Sequence, residues 1–215
     1  LGRLISRLKE LNLDENTILI FFSDNGGMSG ANFGRPTREI LPTKLDEAFS
    51  TSNLPLRGAK GWLYEGGIRV PLIVKWPGRV EGGIVSDRQV ISTDFYPTIL
   101  EMLGLESKSL QHVDGKSFVR ALENKQYNRG AIYWHFPHYR HNPGPYSIIR
   151  EGDWKLIKFY EGPMELFNLK NDLGETKNLA SAMPEKVKGL ESRLLAHLKS
   201  VSYTHLRAHE TRHEI

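Results

Sequence analysis

Two short segments of this 215-residue chain carry side chains whose types and spacing could do chemistry. Ser23-Asp24-Asn25-Gly26-Gly27 sets a carboxylate beside a carboxamide oxygen, and its glycines let the backbone turn so that both face one point. Oxygen donors of this kind suit a hard cation such as Ca2+ or Mg2+, whereas an Asp-His pair would point to zinc. Two ligands are too few for calcium, so further donors must come from elsewhere. The same Asp-Asn-Gly string also makes a plain strand-ending turn. In the second segment, Arg57-Gly58-Ala59-Lys60-Gly61, small residues clear space around an ammonium. There it could neutralise sulfate or phosphate oxygens as charge moves to a leaving oxygen. An exposed loop lysine carries the same local signature.

The elements that must position these residues are legible from periodicity. Leu4, Ile5, Leu8 and Leu11 make one helical stripe, ended by a turn over 12–16. The β-branched and aromatic run Thr17–Phe22 then reads as a strand buried on both faces, with Asp24 and Asn25 at its C-terminal end. Helix, turn, buried strand and polar loop predict an α/β domain with a mostly parallel sheet, whose ligands gather at strand ends. Met28–Asn53 is polar and aperiodic and reads as a site-lining loop. The glycine-punctuated stretch from Leu56 runs into a strand at Leu72–Trp76, and Asp94 is placed to cap a helix over Phe95–Leu103, stopped by Gly104.

Beyond Asn128 the pattern changes to short strands at 131–136, 146–150, 154–160 and 164–168, an antiparallel sheet. A last amphipathic helix from Pro184 to about Lys199 turns Val187, Leu190, Leu194, Leu195 and Leu198 to one side. The division expected is therefore 1–127 as part of an α/β domain, 128–200 as a small α+β subdomain, and 201–215 as a non-native tail. In that tail His205, His209 and His213 would line up on a helix, but the string resembles translated adapter sequence and is set aside. Glu65 and Arg69, flanking a Gly-Gly turn, read as a structural ion pair. Trp134–His141 gathers aromatic and cationic groups suited to stacking on sugar rings and meeting anionic substituents, which makes His135 and His138 candidate substrate contacts; an aromatic anchor between subdomains fits the same residues.

Composition closes several routes. There is no cysteine, hence no disulfide, thiolate metal site or cysteine nucleophile within the chain. The 29 basic and 25 acidic residues are interspersed, so no stripe for nucleic acid stands out despite a net charge of +4. No apolar run approaches the roughly 20 residues of a membrane span. The chain begins without Met, already in helical rhythm, and reads as cut from a longer protein. Oligomeric state is not legible.

Taken in order, Ile20–Gly27, Leu56–Gly78, Thr93–Thr98, Asp114–Ser117, and Arg150–Leu156 with Glu165–Leu169 resemble the type I sulfatase family over about residues 1–200. The resemblance implies an alkaline-phosphatase-like fold, with Asp24 and Asn25 as half of a Ca2+ shell and Lys60 as the catalytic lysine that contacts the sulfate; Arg57 is a further substrate contact. It also implies a formylglycine nucleophile whose Cys/Ser-x-Pro-x-Arg signature does not occur here, nor does the Asp pair that completes the calcium shell. The implied enzyme is a sulfuric ester hydrolase acting on a sulfated carbohydrate, with this C-terminal portion inactive by itself. Export to the periplasm or outside the cell follows from the family alone. A phosphatase or phosphodiesterase of the same superfamily is the competing enzyme, against which Asn25 speaks, since zinc-dependent relatives would be expected to place His there. A non-catalytic sugar-binding module is the competitor of a different kind.

Overall fold

The computed structural model describes residues 1–28, 52–106, 114–139 and 144–201. The chain packs as two units, Leu1–Phe22 with Pro71–Arg129, and Ser23–Val70 with Gly130–Ile215. Packing thus groups Ser23–Val70 with the residues from 130 onward, a different grouping from the sequential division at 127. Residues 29–51 of the expected site-lining segment and the histidines of the tail lie outside the described residues.

In the first unit α1 (Gly2–Glu10) ends because Asn12 takes a left-handed φ of 54°, and the amides of Asn12 and Leu13 reach back to the carbonyls of Lys9 and Leu8 at 3.0 and 2.9 Å. Strand β1 (Leu19–Phe22) pairs with β2 (Leu72–Lys75), Phe22 opposite Leu72. This pair runs antiparallel, where the sequence predicts mostly parallel neighbours. Composition and period report burial; strand direction depends on how the intervening chain returns. Burial on both faces is not found either. Leu72 and Val74 pack on Phe118 and Tyr127 with Phe95 and Val90, while Ile73, Phe21 and Phe22 are exposed.

Helix α3 (Phe95–Met102), the next after the single turn α2 (Glu65–Ile68), follows a 3-10 turn at Ser92–Asp94. Asp94 sits at its N-terminus but makes no side-chain cap to it. Its fully buried carboxylate instead accepts from the amides of Ile91 (3.0 Å) and Lys116 (2.8 Å) and from both Nε and Nη2 of Arg129 (2.9 Å each). Thr98 Oγ1 donates to the Asp94 carbonyl and accepts from the Phe118 amide, linking α3 to the short α4 (Val119–Leu122). A carboxylate offered two amides and a guanidinium fork is better satisfied there than by its own helix.

The second unit is built on an antiparallel sheet, β3 (Ile132–Phe136), β4 (Tyr146–Glu151), β5 (Trp154–Phe159) and β6 (Glu165–Asn168), in that spatial order. Ile149, Leu156 and Leu166 on one face receive Leu190, Leu194 and Leu198 of α5 (Pro184–Ser200). The other face, Ile148, Ile157, Phe159 and Phe167, is covered by Leu63 and Tyr64 from the glycine-rich stretch, which folds there into the single turn α2 (Glu65–Ile68). Both faces being covered, these strands carry apolar residues at consecutive positions. Among the described residues no helix is long and apolar enough to cross a membrane.

Candidate active site: two glycine-rich loops docked backbone to backbone

Asp24, Asn25 and Lys60 lie in the same unit, on loops joined by main-chain contacts. The Gly26 amide donates to the Gly67 carbonyl at 2.9 Å, and the Lys60 amide donates to the Gly27 carbonyl at 3.1 Å. A Cβ on Gly26 would fall 1.8 Å from the Gly66 carbonyl oxygen, one on Gly67 2.1 Å from that of Trp62, and one on Gly66 2.3 Å from that of Gly58. A side chain at Gly26 would hold the two loops apart, and one at Gly66 or Gly67 would keep the Lys60 loop from folding back on itself, so the glycines serve close approach as well as turning.

Asn53 seals the junction. Its Oδ1 accepts from the Gly27 amide at 3.0 Å, and its Nδ2 donates to the carbonyls of Gly27 at 2.8 Å and Gly58 at 3.3 Å. Nothing in the sequence marks this residue, because its partners are backbone groups 26 and 5 positions away. Ser23 Oγ donates to the Asn25 carbonyl at 2.9 Å, within the turn. Asn25 is half-buried, and Asp24 and Lys60 are exposed.

The donor chemistry of Asp24 and Asn25, one carboxylate and one neutral oxygen, fits a hard cation. Among the described residues no group of three or more His, Cys, Asp or Glu could hold a metal.

The side chains under the Lys60 loop depart from the sequence reading. Glu65 is fully buried and pairs with Lys155 and Arg150, both at 3.1 Å, in place of the expected Arg69. Arg69 follows Glu65 by one helical turn and is exposed; the buried carboxylate is met by cations carried on β4 and β5. Arg57 donates to the Glu175 carbonyl at 3.0 Å and lies 3.6 Å over the Tyr64 ring. Tyr64 donates to Glu165 at 3.0 Å, and burial, then the Glu165 carboxylate, push its phenol well above the usual range. Lys155 was legible only as a lysine interrupting the apolar run Trp154–Phe159.

His135, on β3, places Nδ1 2.8 Å from Ser147 Oγ, itself 2.8 Å from the Tyr160 hydroxyl. Burial and the neighbouring His138 hold its imidazole below the ordinary value, so it is neutral at neutral pH and offers hydrogen bonding more than positive charge. His138 is exposed, its ring edge-on to Phe136.

An α/β chain with oxygen donors just past a strand end and a docked cation loop has the arrangement expected of the alkaline-phosphatase-like class. Residues 59–203 match the family described as N-sulphoglucosamine sulphohydrolase, C-terminal, and residues 1–105 match the family described as Sulfatase. The chain belongs to the sulfatase family. It is similar to a sulfatase of Formosa agariphila, 38% identical over 206 residues, covering 86% of this chain and 34% of the relative. It is also similar to an N-acetylglucosamine-6-O-sulfatase of Bacteroides thetaiotaomicron, 29% identical over 190 residues, 83% of this chain and 29% of the relative. The solved structure of Ps i-CgsB in complex with k-i-k-neocarrahexaose superposes with a TM-score of 0.71 at 28% identity, over 94% of this chain and 40% of that one. The chain therefore spans about a third of the length of the curated relatives it matches.

Proposed function

We propose that the chain forms part of a sulfate-ester hydrolase acting on a sulfated carbohydrate, in which Asp24 and Asn25 bind Ca2+ and Lys60 binds the sulfate group. The observation that supports this reading is the docking of the Asp24–Gly27 loop onto the Lys60 loop, which joins the loop with the oxygen donors to the loop with the ammonium. The Asp24 carboxylate and the Asn25 carboxamide oxygen would hold the cation, with the remaining ligands and a formylglycine nucleophile supplied outside this chain. Bound Ca2+ would polarise a sulfate oxygen. The Lys60 ammonium attracts the sulfate oxygens and lowers the cost of the charge that builds on them as the ester bond breaks.

A sulfated sugar is supported by the carbohydrate names of two relatives, an N-acetylglucosamine-6-O-sulfatase and a neocarrahexaose complex. Arg57, His135 and His138 are the residues proposed to contact it, Arg57 with its guanidinium already engaged by Glu175 and Tyr64. Export to the periplasm or beyond fits such a substrate. The phosphatase alternative would favour an imidazole where Asn25 stands.

In the complete enzyme, Lys60→Ala should lower kcat for a sulfate ester by about a hundredfold or more. Unchanged kinetics would remove Lys60 from the site, and a phosphate ester hydrolysed faster than its sulfate counterpart would favour the phosphatase. Calorimetry on Asp24→Ala should show lost Ca2+ affinity; wild-type binding rules out the ligand assignment.

A further inference from the structure

The buried charges of the second unit are concentrated beneath the docked loops. Lys155, fully buried on β5, donates to the Leu63 carbonyl at 3.0 Å and pairs with Glu65 Oε1 at 3.1 Å and Glu175 Oε1 at 2.7 Å. Glu175 accepts the Glu65 amide on Oε2 at 2.7 Å, and its carbonyl accepts Arg57 Nη1 at 3.0 Å. Arg150 closes the set at 3.1 Å from Glu65 Oε2, so two carboxylates face two cations. These contacts take hold at Arg57 and Leu63, three residues before and after Lys60, and at Glu65, immediately before the glycines against which Gly26 packs.

Glu175 also holds a φ of 52°, a left-handed conformation that costs a side-chain-bearing residue energy. Its turn is pinned by Asp172, whose carboxylate accepts the amides of Thr176 and Lys177 at about 2.9 Å. A strained residue held from several sides marks a position whose geometry matters. Buried ion pairs are weak support for stability as such, because apolar side chains of similar volume often do as well. What this network does supply is orientation: it ties one short loop to two strands and a turn.

We propose that Glu175, acting through Lys155 and Glu65, is a positioning residue for the docked loops that carry Asp24, Asn25 and Lys60. The inference rests on reading those three as the site. The sheet β4–β5 and the turn over 172–177 are the platform, and the network transmits their rigidity to the Lys60 loop.

The test uses the complete enzyme with Glu175→Gln, and with Lys155→Met combined with Glu175→Gln, which removes one charge of each sign and leaves Glu65 paired with Arg150. Amide hydrogen exchange is read at Gly26 and Lys60, whose hydrogen bonds join the loops, and at Ile148 and Ile149 of β4, which is paired on both sides in the sheet. Exchange at Gly26 and Lys60 should accelerate about tenfold or more with the sheet amides unchanged. Turnover of a sulfate ester should fall about tenfold to a hundredfold, with little further loss when Lys60→Ala is added. Unaltered exchange at Gly26 and Lys60, equal acceleration throughout the sheet, or failure of both variants to fold would each overturn the positioning role. If the loop amides respond while Lys60→Ala alone leaves turnover intact, positioning stands and the catalytic reading of Lys60 falls.

Discussion

Asn53 uses both ends of its carboxamide on the backbone of Gly27, completing a junction that glycine alone would leave loose. Asn53→Ala removes three hydrogen bonds and leaves part-buried backbone groups to find water, at a cost of about 1–3 kcal/mol. The expected outcome is weakened Ca2+ binding in the complete enzyme with a smaller loss of overall stability, read by calorimetry and urea unfolding. Tyr127 offers a residue-scale test in the other unit. Burial first, then the Asp94 carboxylate, push its phenol up to about 12. The folded state thus keeps a proton that the unfolded chain releases near pH 10, so the stability Tyr127 contributes is complete below about 10 and is lost as pH rises toward 12. Its hydroxyl is buried without a hydrogen-bond partner among the described residues. Tyr127→Phe should flatten the alkaline decline in thermal melts between about pH 10 and 12 without loss of stability at neutral pH.

The elements that matter most for the site are its loops, fixed by glycines that admit backbone against backbone. Gly26→Ala sets a methyl 1.8 Å from the Gly66 carbonyl oxygen, which no rotamer can relieve. The loop bearing Asp24 and Asn25 must then lift from the Lys60 loop, and the expected result is loss of both Ca2+ binding and turnover. Because Ile149, Leu156 and Leu166 pack on α5 independently of that junction, near-native circular dichroism and retained protection of the sheet should accompany the loss. Unfolding of the sheet along with the site would show that the junction supports the core as well.

Across the whole molecule each unit centres on a buried ionic hub that gathers segments distant in sequence. Asp94 with Arg129 joins the turn before α3 to the ends of the unit's later segments, and Glu65 with Lys155 joins the Lys60 loop to the sheet. Asp94→Ala strands the Arg129 guanidinium, 12% exposed, and should destabilise its unit by about 3–5 kcal/mol. Hydrogen exchange resolved along the chain should show the loss at α3 and α4 with β3–β6 protected.

Much of this was open to reading from residue order alone. The boundaries of β3–β6 and the Leu190, Leu194, Leu198 face of α5 follow from periods that any chain burying one side of an element must display. The ordered motifs around Asp24, Asn25 and Lys60 placed the chain in its family. Three things needed the tertiary structure: the antiparallel direction of β1 and β2, the cations that meet Glu65, and the docking of Gly26 on Gly66 and Gly67. The reason is the same in each case. A period records that a side chain is buried, but the partner it meets there is chosen by how the chain closes, and Glu65 and Lys155 stand 90 residues apart.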